Sequence, residues 1–283
     1  MSEHSGFGLA TLAHRRFAGG ERRIDDAFSA RHFADLTRGH ELSYRPELTA
    51  PAGNPFAAMT AALHAQVCAD GAGVELGLVA HATPDLDCRL ATSTYLSSAL
   101  PDVRLSFAVS ENGSCAPYTA LRLARLYAAR HGLHRVLVLA LDQATIPYDV
   151  RLPADLRPAG DAAAALLLTT DGTGAPVEVG QRAGVAPARV PETVRELVRA
   201  TATPPARVRL VDGTGLAPGW WAGVLDPVVR ARTAPAGYRA TATWGELAAA
   251  WPGDETLATV LVDYDRITAD LGVCVIGPPA GTA

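Results

Sequence analysis

The chain has 283 residues, 48% of them hydrophobic, so it can bury one large core or two fused similar ones. Its formal net charge of −4 gives no reason to expect nucleic acid as a partner. Because no window of eighteen apolar residues and no basic-then-apolar leader occurs, we expect a cytoplasmic protein without a membrane span.

The first hundred residues predict two strands and two helices. Residues 6–12 indicate a first strand, and Asn54, which precedes a proline, is the expected N-cap of a helix over residues 56–69. A strand over residues 75–80 follows, and a helix over residues 92–100 connects it to the next strand.

One histidine lies where this kind of sheet places functional groups. His81 directly follows the strand over residues 75–80, and in parallel sheets sites form at the carboxyl ends of the strands. It is therefore either an ordinary turn residue or a catalytic base.

The next forty residues predict a strand, a helix and a second strand. Residues 103–109 alternate between apolar and polar side chains, with Leu105 on the apolar side. Apolar residues at three-to-four spacing then predict a helix that ends at Gly132. Residues 136–141 are apolar without alternation, which is typical of a strand covered on both faces by helices.

Cys115 ends the polar turn that opens this helix. Unpaired backbone N–H groups and the helix dipole stabilise an anion there, so we expect a lowered thiol pKa and a nucleophile that reacts faster than the other cysteines. The alternative is a buried structural cysteine. Cys68, Cys88 and Cys274 complete the set, and none of the four has the spacing of a disulfide framework or a metal site.

A long loop and one further strand complete the first half. Residues 143–158 hold three prolines, and we expect this loop to line an entrance or a subunit contact. A strand over residues 160–169 resumes the sheet. The turn over residues 171–174 then divides the chain into an N-terminal half, 1–170, and a C-terminal half, 171–283.

The second half weakly repeats the first in a shortened form. It predicts a short helix over residues 245–251 and strands over residues 207–212, 238–243, 256–263 and 271–276. Another helix, between residues 180 and 204, carries Arg195 and Arg199 on one side. That row either meets an acidic carrier protein or is a solvated face.

These motifs resemble one known family. The turn with Cys115, the helix, the apolar strand and the run Gly160-Asp-Ala-Ala-Ala-Ala165 are similar to the N-terminal half of a ketoacyl synthase III, which writes the last motif Gly-Asp-Gly-Ala-Gly-Ala. Upstream, residues 76–85 are similar to the family's strand that ends in a Thr-x-Thr-Pro-Asp turn. The resemblance implies an α/β thiolase-like fold, with two similar halves in a layered αβαβα arrangement, and a nucleophilic role for Cys115.

The second half departs from this family at its two other catalytic positions. Where the family has Pro-His-Gln-Ala-Asn, whose histidine helps to decarboxylate the malonyl unit, this chain has Asp212-Gly-Thr-Gly-Leu216. Where the family has an asparagine in Gly-Asn-Thr-Ser-Ala-Ala, this chain has Thr241-Ala-Thr-Trp. One such donor is commonly worth roughly 3 kcal/mol, so we expect malonyl condensation to be slow or absent.

Several functions are compatible with a retained cysteine and lost partners. An acyltransferase of secondary metabolism would accept an acyl group on Cys115 from an acyl carrier protein or coenzyme A and pass it to an oxygen, nitrogen or sulfur nucleophile. Its oxyanion site would use the N–H group of Cys115 and a glycine-rich loop near the C-terminus, and its base would be His81, Asp212 or the substrate. The alternatives are a catalytically weak partner subunit, like a chain-length factor, and a decarboxylative condensing enzyme with an atypical site.

The same resemblance implies an assembly. Thiolase-like proteins pair through the strand before the nucleophile, here residues 103–109, so we expect a homodimer or a heterodimer with a fuller homologue. A cofactor is not expected, because no G-x-G-x-x-G opens a helix after a strand.

Overall fold

The computed structural model describes residues 6–49, 52–100, 103–150, 152–201, 207–217, 220, 225, 228–251 and 257–278. Its strands are β1 (Gly8–Phe17), β2 (Leu76–His81), β3 (Leu105–Val109), β4 (Arg135–Asp142), β5 (Asp161–Thr169), β6 (Ala175–Arg182), β7 (Val208–Asp212), β8 (Val228–Thr233), β9 (Ala258–Asp265) and β10 (Asp270–Ile276). Its α-helices are α1 (Ala27–Arg38), α2 (Phe56–Val67), α3 (Thr92–Ala99), α4 (Ala116–His131), α5 (Val190–Arg199) and α6 (Ala242–Ala248).

The strands fall into two groups with the same internal order. The first group runs β3-β2-β4-β5-β1 and the second β8-β7-β9-β10-β6. In the first group β2 is parallel to β3 and β4, whereas β5 is antiparallel to β4 and β1. In the second group β7 is parallel to β8 and β9, whereas β10 is antiparallel to β9 and β6. The two groups are connected by only two residue pairs between β1 and β6 in the described residues. Their equal strand order and pairing directions show that the chain contains one strand pattern twice.

Helices cover both faces of each group. Leu63 of α2 and Leu96 of α3 lie in one hydrophobic cluster on the outer face of the first group. Tyr118 of α4 and Trp244 of α6 share a cluster that lies between the two groups. Val194 of α5 belongs to a third cluster, on the outer face of the second group. The order helix, sheet, helix, sheet, helix confirms the predicted αβαβα arrangement.

The burial of individual strands follows from these layers. β4 is buried along its length because Val138 faces the central helices and Leu139 faces α2 and α3, which explains its run without alternation. β3 lies at the edge of the first group, and Leu105 is 38% exposed there, although its place in the alternating pattern predicts a core position.

Three local predictions are wrong. Asn54 does not cap α2: its side chain and its N–H group bind Asp161, and the Asp85 carboxylate accepts the N–H group of Phe56 instead. Residues 238–243 form a turn and the start of α6 rather than a strand, and the strand of that region lies upstream, at β8. His81 does not follow its strand but is the last residue of β2.

The remaining predicted elements appear near their expected positions, and the structure adds α1 and β6, which the sequence did not predict. The predicted division after residue 170 lies between β5 and β6 and stays a prediction as a domain boundary. In the part of the chain that the structure describes, no helix has both the length and the apolar character needed to cross a bilayer.

Candidate functional site

Cys115 lies at the N-cap of α4, as its sequence context predicts. A single turn of 3-10 helix, Gly113–Cys115, leads into α4, Pro117 lies in the first turn of the helix, and Gly132 ends it in the left-handed conformation. Because α4 is sandwiched between the two sheet groups, this helix start is buried at the centre of the molecule.

The environment of the thiol contradicts the predicted low pKa. The side chain of Cys115 is completely buried, and its Sγ donates to the carbonyl oxygens of Asp270 at 3.2 Å and Asp263 at 3.5 Å. Burial raises the pKa of Cys115 well above its usual value, and the carboxylates of Asp263, Asp265 and Asp270 raise it further. These two effects outweigh the helix start, so the thiol is protonated near neutral pH.

One of the two expected oxyanion donors, the N–H group of Cys115, already has an acceptor. The N–H group of Cys115 donates to the carbonyl oxygen of Asn112 at 2.9 Å. The preceding N–H group, that of Ser114, donates to Asp265 Oδ2 at 3.0 Å. The other expected donor, a glycine-rich loop near the C-terminus, falls mostly outside the described residues, which end at residue 278.

Asp265 forms an ion pair with Arg239 at this helix start. Its Oδ2 accepts from Arg239 Nη2 as well as from Ser114, and its Oδ1 accepts from the N–H groups of Ile267 and Thr268. Burial by itself would raise the pKa of Asp265, but Arg239 and the backbone donors outweigh it, so the pKa is lowered. Asp265 is therefore an ionised carboxylate at the N-terminal end of α4.

Asp263 connects the two central helices. Its Oδ2 accepts from Tyr118 Oη of α4 at 3.0 Å and from Thr243 Oγ1 of α6 at 2.8 Å. Burial raises the pKa of Asp263 to about 8, although both hydroxyl donors lower it. A carboxyl group that changes protonation state near neutral pH thus lies close enough to Cys115 to affect its thiol.

The start of α6 is capped in a similar way. Asp142, the last residue of β4, accepts from the N–H groups of Ala240 and Thr241 at 3.0 and 2.9 Å and from Thr241 Oγ1 at 2.7 Å. Burial raises the pKa of Asp142, against the effect of these donors. Thr241 occupies the N-cap of α6, the position that Cys115 occupies in α4.

The other two predicted bases lie in different surroundings. His81 Nδ1 is 2.8 Å from the carbonyl oxygen of Thr83, which accepts from it, and burial lowers the pKa of the imidazole. His81 lines two clefts beside α1, of about 250 and 320 Å³, neither of which is lined by Cys115. Asp212 accepts from Thr233 Oγ1 at 3.2 Å. In the described parts of the chain no hydrogen bond joins His81 or Asp212 to Cys115.

The remaining cysteines also differ from one another in burial. Cys68 and Cys274 are buried, and burial raises the pKa of both thiols. Cys88 is half-buried, and its Sγ lies 3.7 Å from Ser29 Oγ. We therefore expect Cys88, not Cys115, to react first with a small alkylating reagent. Within the described ranges, no group of three or more His, Cys, Asp or Glu side chains is arranged to hold a metal ion.

Four residues of this site were not predicted from the sequence: Asp142, Asp263, Asp265 and Arg239. One signal was present, because β4 and β9 are both buried eight-residue strands that end in aspartate. Aligning the two halves on these strands would have placed Asp142 and Asp265 at equivalent positions.

Comparison with known proteins identifies the fold. No protein-family model matches the chain, and no similar sequence is found among curated proteins. AbyA1, a tetronic acid condensing enzyme, matches with a TM-score of 0.63 and 14% identity over 96% of this chain and 99% of its own. ChlB3, described as an acyltransferase, matches with a TM-score of 0.63 and 18% identity over 97% and 98%. A variant of OleA from Xanthomonas campestris matches with a TM-score of 0.60 and 11% identity over 96% and 98%. The chain has the thiolase-like fold that these proteins share.

Proposed function

We propose that this chain transfers acyl groups from a thioester carrier, an acyl carrier protein or coenzyme A, through Cys115 to a small acceptor in the cytoplasm. The observation that carries the proposal is the position of Cys115 at the buried start of α4, next to a carboxyl group that joins both central helices. The structural neighbours include a protein described as an acyltransferase and another described as a condensing enzyme, which supports this class of chemistry.

The transfer proceeds in two balanced steps. The Cys115 sulfur attacks the carrier thioester, a new carbon–sulfur bond forms, the old one breaks, and the carrier thiol leaves with a proton. The acceptor then attacks the acyl-Cys115 carbonyl, and its proton returns to the Cys115 sulfur. We assign the transient proton acceptor to the ionised form of Asp263 rather than to His81, because the raised pKa makes this carboxylate a stronger base than an ordinary one and because it lies close to the thiol.

The surroundings of the thiol do not favour malonyl decarboxylation. That reaction leaves a carbanion, which needs hydrogen-bond donors, whereas Asp263, Asp265 and Asp270 place carboxyl groups around Cys115. We therefore propose acyl transfer without carbon–carbon bond formation.

Intact-mass analysis after incubation with a panel of acyl thioesters tests this function. We expect a mass increase equal to one acyl group, lost in the Cys115→Ala variant and retained in His81→Ala. Carbon dioxide release from a malonyl carrier is measured in parallel. Rapid release that depends on Cys115 would identify a condensing enzyme and contradict the proposal.

A second candidate function, a catalytically weak partner subunit of an active ketosynthase, is favoured by the state of the thiol. Cys115 is buried with a raised pKa, and the N–H groups of Ser114 and Cys115 already have acceptors. The exposed Leu105 on the edge strand β3 offers a surface for pairing with a homologue. No acylation by any donor, together with a stable heterodimer in light scattering, would favour this function.

A homodimer through β3 is the assembly we propose for the acyltransferase. Light scattering at micromolar concentration should give twice the monomer mass. A stable monomer, both alone and with a ketosynthase homologue, would rule out either assembly. The row formed by Arg195 and Arg199 is a weaker candidate for binding an acidic carrier, because Arg195 already pairs with Glu192.

A further inference from the structure

Hydrogen-bond donors converge on one point at the start of α4. The guanidinium group of Arg239 and the N–H group of Ser114 both donate to the same oxygen, Oδ2 of Asp265. The side chain of Arg239 is 10% exposed and that of Asp265 is 1% exposed, so the ion pair is largely withdrawn from water. An anion therefore has a defined position here, one residue from the nucleophile.

The same two residues carry two further donors, the Ser114 hydroxyl group and Arg239 Nε. Both atoms are buried and have no hydrogen-bond partner among the residues that the structure describes, and Ser114 is 8% exposed. Asp265 does not satisfy them, because its second oxygen, Oδ1, accepts from Ile267 and Thr268 in its own turn. Buried donors without acceptors are rare, and these two indicate that the site can bind more acceptor atoms than Asp265 supplies.

The backbone next to these donors is shaped for a close approach. Gly113 has φ +54°, and a Cβ atom at this residue would lie 1.8 Å from Asp265 Oδ2 and 2.5 Å from Arg239 Nη2. A side chain at this residue would therefore occupy the space in which the carboxylate meets the guanidinium group. Glycine keeps that space open.

From these contacts we propose that Arg239 and Ser114 form a carboxylate-binding subsite beside Cys115, which the Asp265 carboxylate fills when no ligand is bound. A ligand carboxylate replaces Asp265, with its two oxygens accepting from the guanidinium group and from the Ser114 N–H and hydroxyl groups. The ligand replaces Asp265 rather than joining it, because a second carboxylate in this buried space would be repelled. The inference rests on the proposed acyl transfer and adds to it a substrate class: an acyl donor or acceptor that carries a carboxylate.

The test compares alkylation of Cys115 by iodoacetate and by iodoacetamide, which differ mainly in the carboxylate. Rates at Cys115 are measured by peptide mapping in the full chain. In Asp265→Ala we expect the iodoacetate-to-iodoacetamide ratio to rise roughly tenfold over the natural chain, the equivalent of one charge-assisted contact. The iodoacetate rate should also saturate with concentration, and acetate should slow it.

Asp270→Ala is the matched control. Asp270 is another aspartate close to the thiol, but its side chain accepts from Asn112 rather than from Arg239. The proposal is overturned if Asp270→Ala raises the ratio as much as Asp265→Ala does, since the gain would then reflect only the loss of negative charge. It is also overturned if adding Arg239→Gln to Asp265→Ala leaves the ratio unchanged. Should Asp265→Ala fail to fold, Asp265→Asn replaces it, with a smaller rise expected.

The result is independent of the acyl-transfer test, because neither reagent is a thioester. A positive result without acylation by any donor would keep the subsite and reject the proposed function, and the reverse combination would reject the subsite alone. Succinyl and butyryl thioesters then distinguish the two sources of the carboxylate. If the succinyl thioester acylates Cys115 faster than the butyryl thioester does, the carboxylate belongs to the acyl donor. If the two acylation rates are equal and lactate is needed to release the acyl group, the carboxylate belongs to the acceptor.

Discussion

The starts of α4 and α6 occupy equivalent positions in the two halves, yet they are suited to different tasks. Each is bound by the last residue of a strand from the other half: Asp265 accepts from Ser114 before α4, and Asp142 accepts from Thr241 before α6. Asp142 binds backbone N–H groups and the Thr241 hydroxyl group, and its pKa is raised by burial, whereas Asp265 is paired with Arg239 and its pKa is lowered. The same architectural position therefore serves as a structural joint in one half and as a charged centre beside a nucleophile in the other.

The largest expected effect is at the structural joint. Asp142→Ala leaves the N–H groups of Ala240 and Thr241 and the Thr241 hydroxyl group without their acceptor in a buried position. We expect the free energy of unfolding to fall by about 4 kcal/mol, measured by urea denaturation. Asp142→Asn retains an acceptor oxygen and should lose less. A loss below about 1 kcal/mol in Asp142→Ala would show that this helix start does not depend on its cap.

At the charged centre, Asp265→Ala should lower the free energy of unfolding by about 3 kcal/mol, less than Asp142→Ala does. The loss is smaller because the Arg239 side chain is not completely buried and can be rehydrated. Adding Arg239→Gln removes the unpaired cation, so the double variant should be more stable than Asp265→Ala alone. A double-mutant cycle from urea denaturation measures this coupling. Additive losses would mean that the ion pair contributes nothing and that the two helix starts are energetically alike.

The raised pKa of Asp263 predicts that the free energy of unfolding depends on pH, and Asp263→Asn should remove this group's contribution. The carboxyl group has a pKa near 3.8 when unfolded and about 8 when folded, so between these values the folded state holds a proton that the unfolded state has lost. Stability therefore falls as the pH rises through this window, by about 1.4 kcal/mol per pH unit from this group, or roughly 2 kcal/mol between pH 6 and 7.5. Urea denaturation at several pH values should show a shallower slope in Asp263→Asn, which still accepts from Tyr118 and Thr243. Identical slopes would contradict the raised pKa.

The smallest effects compare two hydroxyl groups at the two helix starts. Thr241 Oγ1 donates to Asp142, so Thr241→Ala should cost about 1 kcal/mol, and Thr241→Ser much less. Ser114 Oγ has no hydrogen-bond partner within the described ranges of the chain, so Ser114→Ala should leave the free energy of unfolding nearly unchanged. A comparable loss in Ser114→Ala would show that its hydroxyl group is already bound within the protein and would weaken the carboxylate subsite.

The sequence by itself determined the elements that depend on local patterning. The alternation of apolar residues, their helical spacing and Gly132 placed β4, α4 and the position of Cys115 at a helix start, because these signals act over a few residues. The resemblance to the ketoacyl synthase III family added the thiolase-like fold. Local patterning did not distinguish the turn and helix start of residues 238–243 from a strand, because that segment is short and its N–H groups bind the distant Asp142.

Only the tertiary structure decided the chemistry at Cys115. A helix start lowers the pKa of an exposed thiol, but the carbonyl and carboxyl groups that surround this one belong to residues about 150 positions away, on β9 and β10. Packing two sheet groups around α4 removes water from the thiol and places Asp263, Asp265 and Asp270 beside it. Desolvation and charge depend on distance in space, whereas sequence patterns report distance along the chain. The position of the nucleophile was therefore predictable, and its protonation state was not.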